Sequence, residues 1–216
     1  MDLLENRHIS ASLQGEHTMR KPTRGSPQGG VLSPLIWNII MDSILSTFEG
    51  TATKVVGYAD DILLMVAGKD PGSIVDIMNW SLQRVLRWGE EKQLLFNPSK
   101  TCAVRFSQSK KFSEWKKIKM DGVTVNYDDS MKYLGIVMQK SMSWRQHILE
   151  RSKKGIKTAN LANAAIGQKW GLNPEKSYWV YTAMTRPVAT YGSLVWSPSI
   201  NEIGRASCRE RVLLIV

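Results

Sequence analysis

Cysteine is nearly absent from this sequence of 216 residues: Cys102 and Cys208 are the two, too few for a disulfide framework. On that ground the chain reads as reduced and intracellular. Long hydrophobic runs are also missing, since the longest apolar stretches, around residues 31–41 and 62–67, fall far short of the roughly 20 residues a membrane span requires. The opening Met1-Asp2-Leu3-Leu4-Glu5 is acidic and has no apolar core, so no secretory signal is expected. There is no internal repeat and no low-complexity tract. With 43% apolar and 22% charged residues, wholesale disorder is excluded, and the length suits one domain or one and a half.

What is present is positive charge, unevenly spread. Residues 1–100 hold 10 Lys and Arg against 11 Asp and Glu, whereas residues 101–200 hold 16 against 6. A near-neutral half joined to a strongly basic half points to a polyanionic partner bound mainly by the second half, or to a basic surface that is merely soluble. Charge alone does not choose between them.

The patterning is mixed at first and helical later. A helix is expected at residues 2–8 and a strand near 9–13. Gly25-Ser26-Pro27-Gln28-Gly29-Gly30 reads as a loop. Ser33-Pro34 supplies a cap and a first-turn proline for a helix over 34–48, with Leu35, Ile39, Asp42 and Leu45 at helical spacing and Ile36 and Ile40 widening the apolar face. The β-branched runs 53–56 and 62–66 flank Gly57-Tyr58-Ala59-Asp60-Asp61, the pattern of a tight hairpin of buried strands with a carboxylate pair at its tip. Pro71 opens a long amphipathic helix carrying Ile74, Ile77, Met78, Leu82, Val85 and Leu86. Asn97-Pro98-Ser99 is a break, 101–106 a strand, 118–125 a small hairpin around Asp121-Gly122, and 131–138 one further strand containing Tyr133-Leu134-Gly135.

After Trp144 the period lengthens to 3.6. Trp144, Ile148, Ser152, Ile156 and Ala159 form one stripe, with Arg151, Lys153, Lys154 and Lys157 on other faces. Pro174 starts a second helix with Tyr178, Trp179, Tyr181 and Met184, and a third after Pro187 ends near Trp196. The expected fold class is therefore α+β, with a boundary near residue 140 between a mixed part and an all-helical basic part. Residues 201–216 stand apart: the run from Glu202 to Val212 looks like the translation of a common sequencing adapter, and they are set aside as an artefact tail.

Adjacent aspartates at a hairpin tip need a reason. Two touching carboxylates repel, and burying either without a counter-charge is costly. A divalent cation answers both problems, and hard oxygen ligands suit Mg²⁺, which keeps waters and is completed by substrate phosphates. Two such ions about 3.5–4 Å apart can activate an attacking hydroxyl and stabilise a leaving oxygen. The plainer explanation is that Asp-Asp is a common turn dipeptide.

The pair has company. Arg24-Gly25-Ser26-Pro27-Gln28-Gly29-Gly30-Val31-Leu32-Ser33-Pro34-Leu35-Ile36-Trp37-Asn38 resembles motif B of reverse transcriptases, and Tyr58-Ala59-Asp60-Asp61 resembles their motif C. Asn97-Pro98-Ser99-Lys100-Thr101 resembles motif D. Lys132-Tyr133-Leu134-Gly135, followed by Trp144 and His147, resembles motif E of LINE-like elements. Trp170-Gly171-Leu172, Arg186-Pro187-Val188, Tyr191-Gly192 and Trp196 resemble the thumb region of insect non-LTR retrotransposons. The resemblance runs in order over residues 1–197.

It implies an RNA-directed DNA polymerase. Residues 1–140 would be the later part of a palm, an antiparallel sheet with the Tyr-Ala-Asp-Asp hairpin packed on helices, and 141–200 a helical thumb. Asp60 and Asp61 would be catalytic and hold Mg²⁺. Gly25, Ser26, Pro27, Gln28, Gly29, Gly30 and Tyr58 would meet the nucleotide and template, with the glycines letting backbone approach the nascent base pair. Lys100 would protonate pyrophosphate, and Tyr133, Leu134 and Gly135 would position the primer end. The partners implied are an RNA template with a DNA primer duplex and a deoxynucleoside triphosphate, with no membrane. Action in the nucleus is implied by the resemblance alone. The tryptophans at 144, 170, 179 and 196 are expected to be thumb core, and His147 is read as a helix-surface residue without a role.

One departure matters. The family's third metal-binding aspartate, from motif A, and its fingers have no counterpart here, so this polypeptide is expected to be inactive alone. Two other readings remain: a non-catalytic nucleic-acid-binding remnant, and a small metal-dependent phosphohydrolase using Asp60 and Asp61.

Overall fold

The structure, a computed structural model, describes residues 7–106, 115–164 and 171–197, together with the backbone of Arg211–Ile215. The expected helix at 2–8 lies largely outside these residues, as do Trp170 and Cys208. The protein is mixed α and β, built from helices and small, mostly antiparallel sheets. It divides into two compact units, Met1–Leu63 and Leu64–Val216.

The first unit opens with two strands, β1 (Ile9–Leu13) and β2 (Glu16–Arg20), paired antiparallel with Leu13 opposite Glu16. Every residue of both is exposed. The second strand has no signature in the sequence, because neither face is buried and so no alternation marks it. Helix α1 (Ser33–Ser46) follows the glycine loop. It begins one residue earlier than expected and is capped differently. Leu32 holds the cap position without a side-chain bond, and the Ser33 hydroxyl instead donates to the Pro27 carbonyl at 2.6 Å.

The buried face of α1 is also rotated from the expected one. Met41, Ile44 and the following Phe48 are buried, while Leu35 is 58% and Ile39 65% exposed. The reason is strand β3 (Thr53–Tyr58), which packs on α1. A Cβ on Gly57 would lie 3.1 Å from the Met41 methyl, so the bare glycine backbone admits that side chain and sets which stripe turns inward. After Ala59 and Asp60 the chain enters β4 (Asp61–Gly68), which begins in this unit and continues into the second.

In the second unit α2 (Pro71–Lys92) starts where Pro71 predicts, with the Asp70 carboxylate accepting the Ser73 N–H at 2.7 Å as its cap. Its stripe of Ile74, Met78, Leu82 and Val85 is buried as expected, widened by Val75 and Trp88. It packs against β6 (Ile118–Met120), the first strand of a hairpin with β7 (Val123–Val125) turning at Asp121-Gly122. Strand β5 (Ala103–Phe106) pairs parallel with the short β8 (Tyr127–Asp128). Between β4 and β5 lies the backbone of β11 (Arg211–Ile215), antiparallel to both, so the 201–216 segment contains a strand of this sheet.

Residues 131–138 are not one strand. They form a hairpin of β9 (Ser130–Tyr133) and β10 (Ile136–Gln139), with Tyr133 opposite Ile136. The chain reverses at Leu134 and Gly135, at φ 47° and 77°, the double left-handed geometry of a tight two-residue turn.

Helix α3 (Arg145–Ala164) buries His147 and Gly155, whereas Ser152 and Ile156 of the expected stripe are exposed. A Cβ on Gly155 would sit 3.0 Å from that of Ala189, so the glycine marks the contact line. The next helix is continuous through three segments: α4 (Pro174–Val180), a π-helical turn at Tyr181–Thr185, and α5 (Arg186–Ala189). The wide turn sits just before Pro187, which has no N–H to continue an ordinary ladder. A short α6 (Ser193–Trp196) follows. Trp196 is buried, but Trp179 is 67% exposed and is not core. Among the described residues no helix is long and apolar enough to cross a membrane.

Candidate active site

Two local structures meet in the first unit. The glycine loop and the start of α1 form one wall of an open cavity of about 670 Å³, and the end of β3 forms the other. Ser26, Pro27, Gln28, Gly29 and Gly30 line it together with Trp37, Tyr58 and Ala59. Six of the seven residues expected at the nucleotide and template are thus brought together. The seventh, Gly25, takes a φ of 75° at the loop's entry and is not among the lining residues.

The loop owes its shape to its own contacts. The Gly30 N–H donates to the Pro27 carbonyl at 3.1 Å, and the Ser33 hydroxyl binds the same oxygen. A Cβ on Gly30 would fall 2.7 Å from the Ser33 oxygen and 3.2 Å from that carbonyl. A side chain there would crowd the Ser33–Pro27 contact that shapes the loop.

The hairpin tip is held from α1. Ala59 adopts a φ of 51°, a left-handed conformation that costs a non-glycine residue about 1–3 kcal/mol. Its carbonyl accepts the Trp37 indole N–H at 2.5 Å. Trp37 lies within the motif resemblance, which assigns it no role. An indole N–H at the end of an apolar ring, which needs an acceptor, is the signal for one.

Asp60 completes the turn and Asp61 is the first residue of β4. Both are exposed to solvent, so neither bears a burial penalty. Among the described residues neither makes an ion pair or a side-chain hydrogen bond, and no group of three or more His, Cys, Asp or Glu side chains could hold a metal. The two carboxylates follow the cavity-lining Ala59 in sequence but are not among the lining residues. As adjacent hard-oxygen ligands they fit the donor set of Mg²⁺, which takes one or two carboxylates and fills its remaining positions with water and phosphate.

The other expected residues lie in the second unit. Lys100 is exposed in the turn after Asn97, its N–H bonded to the Asn97 carbonyl at 3.1 Å. Tyr133, Leu134 and Gly135 form the β9–β10 turn, all half-buried. Sequence reasoning missed the residues around that turn. His147 is not on the surface: it is 1% exposed, its Nδ1 accepts the Val137 N–H at 3.1 Å, and its Nε2 lies 3.3 Å from the Tyr191 carbonyl. Burial, followed by its hydrogen bond to Asp128 and that carboxylate's charge, pushes the Cys102 thiol up to about 12.

Residues 3–138 match the family model described as reverse transcriptase (RNA-dependent DNA polymerase). The chain is 26% identical to a 115 kDa protein in type-1 retrotransposable element R1DM of Drosophila melanogaster, over 89% of this chain and 19% of that protein. It is 22% identical to the Pol polyprotein from type-1 retrotransposable element R1 of Bradysia coprophila, over 81% of this chain and 17% of the relative. With the second R1 polyprotein of Nasonia vitripennis the identity is 25%, over 80% and 43%. The chain thus spans less than half the length of each of these relatives. No solved structure matches it.

Proposed function

The chain belongs to the reverse transcriptase family of insect retrotransposable elements, and on that premise we propose that it carries the nucleotide-selecting and metal-binding part of an RNA-directed DNA polymerase. The reaction joins a primer 3′-hydroxyl to the α-phosphorus of a deoxynucleoside triphosphate, and the bond to the β-phosphate breaks to release pyrophosphate. The observation that carries the reading is the single cavity shared by the glycine loop and the Tyr58-Ala59 end of the hairpin, with two unengaged carboxylates next in sequence.

Each element has a part in that reaction. The cavity-lining backbone at Gly29 and Gly30 would meet the base pair, with Gln28 exposed beside it. Asp60 and Asp61 would hold Mg²⁺, which when bound neutralises triphosphate charge and favours the ionised primer hydroxyl. Trp37 keeps the tip of the hairpin in place. The resemblance gives Lys100 the proton for pyrophosphate and Tyr133, Leu134 and Gly135 the primer end. In this reading the helices within residues 141–200 hold duplex along their basic faces as a thumb, and residues 1–140 belong to a palm. The resemblance to elements that prime on chromosomal DNA favours action in the nucleus.

Lys153, Lys154 and Lys157 project from α3 into solvent, which favours backbone contacts with a duplex. The 216-residue polypeptide is expected to bind an RNA template–DNA primer duplex, with log affinity falling linearly as log salt rises. Replacing the three lysines by alanine should flatten that slope by up to about 2.7, roughly 0.9 for each phosphate that no longer has a lysine to neutralise it. With two metal-binding carboxylates, the same polypeptide should bind without extending the primer. Template-dependent extension by it would refute the incomplete metal site. Hydrolysis of simple phosphoesters without a template would favour the phosphohydrolase instead.

A further inference from the structure

The Leu134-Gly135 turn is held by side chains far from it in sequence, and we propose that Arg151 and Tyr191 are positioning residues that fix this turn for the primer end. The proposal rests on reading Tyr133, Leu134 and Gly135 as the primer contact. Both carbonyls of the turn are occupied. The Tyr191 hydroxyl donates to Leu134 O at 2.7 Å, and the Arg151 guanidinium donates to Gly135 O at 2.6 Å. The two side chains also brace each other, with the guanidinium carbon 4.4 Å from the centre of the Tyr191 ring.

Shape makes the arrangement selective. A Cβ on Gly135 would lie 3.1 Å from the Tyr191 ring, so the ring seats directly on the turn. Two residues further on, the Val137 N–H goes to His147, whose other nitrogen faces the Tyr191 carbonyl, which the Trp196 indole also binds at 3.0 Å. Three backbone stations of the hairpin, at Leu134, Gly135 and Val137, are thereby tied to α3 and to the Tyr191-Gly192 corner. A site built on rigid supports holds its geometry, whereas a left-handed Leu134 by itself would favour other turns.

Arg151 has a second significance. It sits on the same helix as Lys153, Lys154 and Lys157, half-buried while they are exposed. The helix that meets the duplex backbone in the reading above therefore also holds the turn that meets the primer end. Engagement of duplex and placement of the 3′ terminus become one mechanical event.

The test uses the 216-residue chain with Tyr191→Phe, which removes one oxygen and keeps the ring, alongside Arg151→Ala and Arg151→Lys. Hydrogen exchange of the free protein at Ile136 and Val137 should quicken at least about fivefold in Tyr191→Phe and Arg151→Ala. A photoreactive nucleotide at the primer 3′ end should crosslink to residues 133–135, with the yield falling at least about threefold in both variants while duplex affinity changes less than about twofold. Arg151→Lys, which keeps a donor for Gly135 O, should recover most of that yield. Unchanged exchange and crosslinking would overturn the proposal. Crosslinking and affinity falling together would also overturn it, since the residues would then support only the fold. If the parent crosslinks elsewhere while exchange still quickens, the primer reading fails and the positioning role with it, although the hydrogen-bonded clamp stands.

Discussion

Exchanging Asp60 or Asp61 for asparagine, in a polypeptide that includes this segment and copies RNA, should slow nucleotide addition by at least about a thousandfold, or roughly 4 kcal/mol of transition-state stabilisation. Asparagine keeps the shape and removes the charge, and a magnesium ion prefers ionised oxygens. Removing a single preorganised electrostatic partner commonly costs about a hundredfold to a thousandfold, and these carboxylates would act on both the attacking and leaving oxygens. Both side chains are exposed and outside any ion pair among the described residues, so stability should move by less than about 0.5 kcal/mol. Single-turnover incorporation at saturating template–primer, with a melting curve for each variant, checks both halves. A reduction of about tenfold or less would mean that the turn is only a turn.

The largest effect on stability is expected from His147→Ala, which should cost about 3–5 kcal/mol. The ring is fully buried, with the Trp144 and Trp196 rings 6.5 and 6.2 Å away, centre to centre. Because Nδ1 accepts from the Val137 N–H, the ring proton sits on Nε2 and faces the Tyr191 carbonyl. Alanine leaves a cavity and an orphaned buried N–H, while Tyr191 O keeps the Trp196 indole. Phenylalanine fills most of the space but accepts nothing, and should cost about 1–3 kcal/mol for the orphaned amide. Urea denaturation of the parent and the two variants separates the packing share from the hydrogen-bond share. A surface histidine would show less than about 0.5 kcal/mol in both.

What could be read from the sequence was contiguous or periodic. The glycine loop, the Tyr-Ala-Asp-Asp tip and the Asp121-Gly122 turn each consist of neighbouring residues whose types dictate local backbone. Helix α2 shows its buried stripe because only one apolar stripe is present. Helix α1 carries two, and the choice between Leu35 with Ile39 and Met41 with Ile44 is made by Gly57 on another element. No periodicity contains that information.

The region after residue 130 was harder for the same reason. Leucine at a φ of 47° is rare enough that Tyr133-Leu134-Gly135 reads as strand, and the turn's carbonyls are bonded by Tyr191 and Arg151, which are distant in sequence. His147 looked like a surface residue because its partners are backbone groups 10 and 44 residues away, which have no residue-type signature. Trp179 looked like core because tryptophan usually is, yet the helix turns it outward with Tyr178 and Tyr181.

The central claim is that the loop at residues 26–30 and the hairpin tip at 58–61 form one nucleotide site. Its most direct test is photolabelling of the 216-residue chain with a photoreactive deoxynucleoside triphosphate, in the presence of Mg²⁺ and a primed RNA template, followed by peptide mapping. The account predicts labelling confined to residues 26–38 and 58–61, dependent on magnesium and abolished in the Asp60→Asn, Asp61→Asn double variant. Labelling spread over other segments, or indifferent to both metal and variant, would contradict it.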